Sequence, residues 1–198
     1  FLLERMNLKK CYRSLGTTVF AAHSIAVTAE TIFYVPGYGL RSAASTLIGN
    51  ARGEKNIEKL KSVGKISVCL TIAMMCISGL ILYIGAAPLM RLFSPSRQVV
   101  TLGAEMLRLV ALSEPFFGLM VVLEGIFYGL GRTRYAFVVE TVGMWAVRIL
   151  LTFLCVRYWN LGLRAVWYCM IADNVCKALL FILPFVWKKS QKRLLESI

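Results

Sequence analysis

The sequence has no Walker phosphate loop, no His-Glu-x-x-His zinc motif and no nucleophile elbow, so it carries no positive sign of an enzyme. None of its 6 cysteines stands in a Cys-x-x-Cys pair. Cys69, Cys76, Cys155, Cys169 and Cys176 lie inside apolar runs, with only Cys11 outside, and they read as small hydrophobes rather than disulfides or metal ligands. No basic start followed by a short apolar core and a small-residue cleavage site marks a signal peptide. The first residue is Phe1 rather than Met, and the expectation is a fragment or a processed piece. Acids are scarce: 10 Asp and Glu stand against 23 Lys and Arg, for a net charge of +13. That excess does not point to nucleic acid, because the cations cluster mainly between apolar runs, as they do in cytoplasmic membrane loops.

Hydrophobic residues make up 58% of the chain. The run Ile66–Met90 lacks any charge, and it exceeds the roughly 20 residues that a helix needs to cross the hydrocarbon. The expected fold is all-α, a polytopic transmembrane helical bundle of about five spans. Residues 1–14 are too few for a complete span and read as the remnant of a preceding helix or loop. Residues 15–187 hold the spans, and residues 188–198 form a basic tail. The first span runs from Leu15 toward Ile48, with an interruption expected at Pro36-Gly37-Tyr38-Gly39, since proline removes a donor and crowds the Ile32 carbonyl. Residues 49–65 read as a polar loop with a short surface helix, and residues 91–102 as a second loop. The remaining spans are about Gly103–Gly129, Tyr135–Val156 and Ala165–Trp187. Loop 49–65, the turn with Arg132 and Arg134, and the tail carry eleven cations, against Arg91, Arg97, Arg157 and Arg164 in the alternate loops. This places the C-terminus in the cytoplasm of a multi-pass protein of the cytoplasmic membrane. The basic N-terminal piece then falls outside, against the rule, so something before residue 15 is expected to be missing or altered.

Every long run except Ile66–Met90 contains an acid. A charge at membrane depth costs about 2.5–3.5 kcal/mol even on gentle scales, and such residues mark polar interiors and ion pathways. Glu114 and Glu124 are ten residues apart, about 15 Å along a helix and roughly 80° around it, so both can face one interior. Each is either a proton or cation site, since low dielectric favours the neutral form of a carboxyl, or a structural group holding helices together. Glu140 and Arg148 either flank a cavity or pair with acids on other spans, and Trp145, near Arg148, is placed to stack on its guanidinium. Asp173 and Lys177 are spaced for a mutual salt bridge. Glu30 is the most isolated acid. His23 is either a proton relay or structural, and Arg41 either snorkels or pairs with an acid. Phe33, Tyr34, Phe117, Tyr128 and Trp145 suit a cavity for flat cations, or serve as packing and interfacial anchors.

The order of motifs resembles the multidrug and toxic compound extrusion (MATE) family. The matching pieces are Leu15-Gly16-Thr17, Pro36-Gly37-Tyr38-Gly39, the run from Ala43 to Gly53, and Glu114-Pro115. They continue with the run from Glu124 to Thr133, Gly143-Met144-Trp145, Arg148, Gly162, Trp167 and Asp173-Asn174. The resemblance covers residues 15–187 and implies half of a two-lobe, twelve-helix transporter, with the N-terminal lobe missing. It implies an antiporter that exports cationic or aromatic small molecules in exchange for protons or sodium, without a cofactor. By the same resemblance the cavity wall comes from spans one, three and four, with Glu30 and Glu124 as first choices, followed by Glu114, Glu140 and Arg148.

Two departures qualify this. Leu2-Leu3-Glu4-Arg5 resembles the motif of the family's seventh helix, but it stands too close to Leu15-Gly16-Thr17 for the rest of that helix. Some members also carry an acid on the tenth helix where this chain has Phe117, which favours proton over sodium coupling. Two alternatives remain open: a flippase for lipid-linked precursors with the same broader fold, and a truncated remnant that does not transport.

Overall fold

The computed structural model describes residues 17–157 and 163–186, and every regular element among them is helical. The N-terminal piece 1–14, loop residues 158–162 and the basic tail lie outside the described residues. In chain order the helices are α1 (Thr17–Gly53), α2 (Ile57–Phe93), α3 (Arg97–Ala111), α4 (Glu114–Gly129) and α5 (Thr133–Val142). A π-helical segment (Gly143–Ile149), α6 (Leu150–Arg157) and α7 (Leu163–Val186) complete the bundle. Four helices are long and apolar enough to cross a membrane, and the bent pair α3–α4 brings the number to five if it is counted as one broken span. The chain is therefore a multi-pass membrane protein, as its apolar runs require.

The loops are shorter than the sequence indicates. Residues 49–65 are not a loop with a separate surface helix: α1 continues to Gly53 and α2 begins at Ile57. Each is 37 residues long, about 55 Å at 1.5 Å per residue, so both project beyond a hydrocarbon core of roughly 30 Å. Lysine and glutamate are good helix formers, and a helix leaving the membrane has no reason to stop there. Between the two helices Lys55 takes a left-handed conformation (φ 52°). The Asn56 side chain caps α2 by accepting from the Lys59 backbone N–H at 2.9 Å. Residues 91–102 shrink in the same way, to a break at 94–96.

Pro36 does not interrupt α1, which runs through it unbroken. One turn before the proline, Ser78 of α2 donates to the Phe33 carbonyl at 3.2 Å. This bond ties the helix to its neighbour beside the proline, whereas the carbonyl that Pro36 itself crowds is that of Ile32. The break occurs instead at residues 112–113, where α3 and α4 meet at 55°. Pro115 stands in the first turn of α4, where its missing N–H costs nothing but an unbroken helix from α3 would crowd the Ala111 carbonyl. Ser113 satisfies the junction: its N–H and hydroxyl both donate to the Val110 carbonyl, at 2.7 and 2.8 Å.

α1 and α4 pack face to face, and glycine makes their approach possible. A Cβ on Gly125 would stand 2.5 Å from the Arg41 carbonyl oxygen, and one on Gly129 2.5 Å from that of Ser45. α4 then ends in a Schellman motif. The Arg132 N–H reaches the Phe127 carbonyl and the Gly131 N–H reaches that of Tyr128, each at 2.9 Å, with Gly131 at φ +68°. Replacing Gly129 with Val is expected to destabilise the bundle by about 1–3 kcal/mol through overpacking. Gly85, with nothing within 4 Å of a built Cβ, is the control: Gly85→Ala should hold or slightly raise the thermal midpoint in detergent, as alanine favours the helix, while Gly129→Val lowers it.

Candidate functional site

Glu30, Tyr34, Tyr38 and Arg41 follow one another at spacings of four, four and three along α1, so they share one stripe of the helix. Glu114, Phe117, Glu124 and Tyr128 form the corresponding stripe of α4. The two stripes face each other and make a ladder of acids and rings. At its inner end Glu30 and Glu114 are fully buried, and each carboxyl stands within the other's electrostatic reach. The Tyr34 hydroxyl donates to Glu30. Neither carboxyl oxygen of Glu114 has a hydrogen-bond partner among the described residues.

Aromatic rings fill the middle of the ladder. Tyr34 stacks on Phe117 with centroids 4.0 Å apart, and Tyr38 meets Phe117 edge-on at 5.8 Å. At the outer end the Arg41 guanidinium donates to Glu124 at 2.8 Å, and the Tyr128 hydroxyl donates to the same carboxyl at 2.5 Å. The Arg41 guanidinium also lies 5.0 Å from the Tyr38 ring centroid and 6.0 Å from that of Tyr128. This end is open: Tyr38 is 43% exposed and Tyr128 36%.

A second polar group joins α5, the π-helical segment and α7. Lys177 donates to Glu140 at 2.9 Å and lies 3.1 Å from Asp173. Arg148 lies 3.3 Å from Asp173. Two acids and two bases therefore form one neutral cluster, with Asp173 and Lys177 buried. The helices pack tightly here, since a Cβ on Gly143 would strike both Lys177 and Asp173. Arg148 is also within electrostatic reach of Glu30, which links the cluster to the inner end of the ladder.

The structure thus divides the residues singled out in the sequence. Glu30, Tyr34, Glu114, Phe117, Glu124 and Tyr128 share the ladder, whereas Glu140 and Arg148 belong to the ion cluster. Asp173 and Lys177 pair as their spacing suggests, but each also binds a partner on another element. Phe33 packs against the apolar cluster around Ala22, Ala26 and Trp167, and Trp145 stands half-exposed on the π-helical segment. His23 meets Trp167 edge-on at 5.7 Å. Sequence reasoning gave no site role to Tyr38. The spacing from Glu30 through Tyr34 to Tyr38 was the available signal, hidden by the reading of Pro36 as a helix break.

The MatE family profile matches residues 11–154. The chain is 27% identical over 178 residues to a probable multidrug resistance protein NorM of Thermotoga maritima, covering 90% of this chain and 38% of that protein. It is also 27% identical to multidrug and toxin extrusion protein 1 of Mus musculus, covering 89% and 32%. The chain therefore spans about two fifths or less of the length of these relatives. Its fold matches a multidrug resistance MATE family transporter of the MOP superfamily in an outward-facing conformation, with a TM-score of 0.86 at 19% identity, covering 98% of this chain and 43% of that one.

Proposed function

The chain belongs to the MatE family, a family of transporters rather than enzymes, and on that premise we propose that it forms one lobe of a cation-coupled antiporter exporting cationic, aromatic drugs. It would sit in the cytoplasmic membrane with its C-terminus in the cytoplasm, as the loop charges favour, and work against an N-terminal lobe. The observation that carries this reading is the α1–α4 ladder. It joins two buried carboxyls to an open mouth of tyrosines and a third carboxyl.

The two ends suit different tasks. A buried carboxylate with no hydrogen-bond partner is costly, so Glu114 and its neighbour Glu30 hold a proton or take up a cation between them. Phe117 in place of an acid favours the proton over sodium. At the mouth, aromatic faces and a carboxylate are what a flat organic cation needs. Arg41 occupies that position and stands in for the cation's charge. A drug entering the mouth would displace Arg41 from Glu124, and loading of the inner acids would weaken drug binding, so that proton and drug exchange as the lobes rock.

The test uses ethidium, a flat monocation, and the antiporter that contains this lobe. Replacing Glu124 with Gln should abolish export and weaken ethidium binding at least about tenfold, by loss of a charge-assisted contact, while expression persists. Replacing Arg41 with Gln should tighten ethidium binding, because the competing internal cation is gone. Unchanged export in the Glu124 variant contradicts the assignment.

A further inference from the structure

A third polar site lies on the flank of the bundle, away from the ladder. α2, α3 and α7 border a groove of about 250 Å³ lined by Tyr83, Glu105, Arg108, Leu112, Arg164 and Tyr168. Its charges do not balance. Arg164 pairs with Glu105, which leaves Arg108, exposed on α3 three residues further on, with no ion-pair partner among the described residues. The groove therefore holds two guanidinium groups and one carboxylate, a net charge of +1.

Its surroundings are apolar and exposed. Leu80 and Ile84, which flank Tyr83 on α2, are 60% and 69% exposed, and Leu112 at the α3–α4 bend is 69% exposed. In water such a surface would be an aggregation hazard, but in a bilayer it is where acyl chains lie. An arginine on such a flank carries its charge where there is little water, and it needs an anion within reach of its long side chain. Guanidinium groups bind phosphate oxygens in paired, charge-assisted hydrogen bonds, and tyrosine rings with polar tips suit the level of lipid headgroups.

We propose that this groove binds an anionic phospholipid, with the phosphodiester between Arg108 and Arg164 and an acyl chain along the apolar flank of α2. One phosphodiester charge makes the site neutral. A zwitterionic lipid is disfavoured, because its headgroup cation would have to share the groove with two arginines. Basic recesses between membrane helices recognise anionic headgroups on cytoplasmic faces, and the same guanidinium–phosphate chemistry applies on the opposite face, toward which Arg164 lies by the loop charges. The site is distinct from the drug mouth, since its residues share no contact with the α1–α4 ladder among those described above.

Native mass spectrometry of the full chain in detergent, with added dioleoyl phosphatidylglycerol or dioleoyl phosphatidylcholine, tests this. The wild type is expected to retain one phosphatidylglycerol at concentrations where phosphatidylcholine is lost. Arg108→Gln should lower that retention about tenfold, the loss of a charged hydrogen-bond pair, while Arg108→Lys keeps part of it. Glu105→Gln should raise it, because the groove gains positive charge, and a misfolded variant could not produce this gain. Equal retention of the two lipids, or no change in Arg108→Gln and Glu105→Gln, overturns the proposal.

Discussion

Glu114→Gln in the antiporter that contains this lobe is expected to bind drug with an affinity that no longer changes with pH. Gln has the shape of a protonated glutamate and cannot lose its proton. It would hold the inner end of the ladder in its loaded state, where drug binding is weak. In the wild type, drug affinity should rise with pH as the inner carboxyls lose their protons, because an empty acid pair favours the incoming cation. The difference should be about 5–150-fold, the range of a coupling free energy of 1–3 kcal/mol. Folding should survive, because Glu114 has no hydrogen bond among the described residues for the substitution to break. Ethidium titrations at several pH values check this. An unchanged pH dependence in the variant would remove Glu114 from the coupling site.

Lys177→Met is expected to have the largest effect on stability. It leaves Glu140 without its ion-pair partner and Asp173 facing only Arg148, with Asp173 fully buried. Removing one partner from a buried ion cluster costs about 3–5 kcal/mol, because the remaining charge is stranded. The Asp173→Asn/Lys177→Met double variant should recover part of the loss, since the fully buried carboxylate is then removed together with its lysine. A double-mutant cycle on thermal unfolding in detergent measures the coupling. Additive losses would mean that the cluster is a set of separate pairs rather than one network.

The sequence made some of this arrangement legible and hid the rest for physical reasons. The uncharged run Ile66–Met90 marks a span because apolar length alone meets the membrane's requirement. It does not mark where α2 starts and stops, since helix formation continues into water at both ends. Glu114-Pro115 announces a possible break, and the structure breaks there because continuation of α3 would crowd the Ala111 carbonyl. Pro36 makes a similar announcement and is overridden, because α1 is packed along α2 and α4 on either side of it and a single lost hydrogen bond does not end a span held in that way. Asp173 and Lys177 are readable as a pair because they are one turn apart. Arg41 and Glu124 are 83 residues apart, and nothing local connects them; only the close approach of α1 and α4 at Gly125 and Gly129 brings them together. The π-helical segment that carries Arg148 leaves no trace in the hydrophobic pattern, and Gly143 shows its purpose only once Lys177 and Asp173 are seen against it.

The central claim is that the α1–α4 ladder exchanges a proton, or a cation in its place, for a cationic drug. Counting the ions released when ethidium binds to the purified antiporter, in weakly buffered solution with a pH indicator and a sodium-selective electrode, tests it most directly. Release of about one proton or sodium ion per drug by the wild type, and none by the Glu30→Gln/Glu114→Gln double variant, is the expected outcome if binding and unloading are linked. Stoichiometric ethidium binding with no ion released from the wild type, or the same release from the double variant, would contradict it.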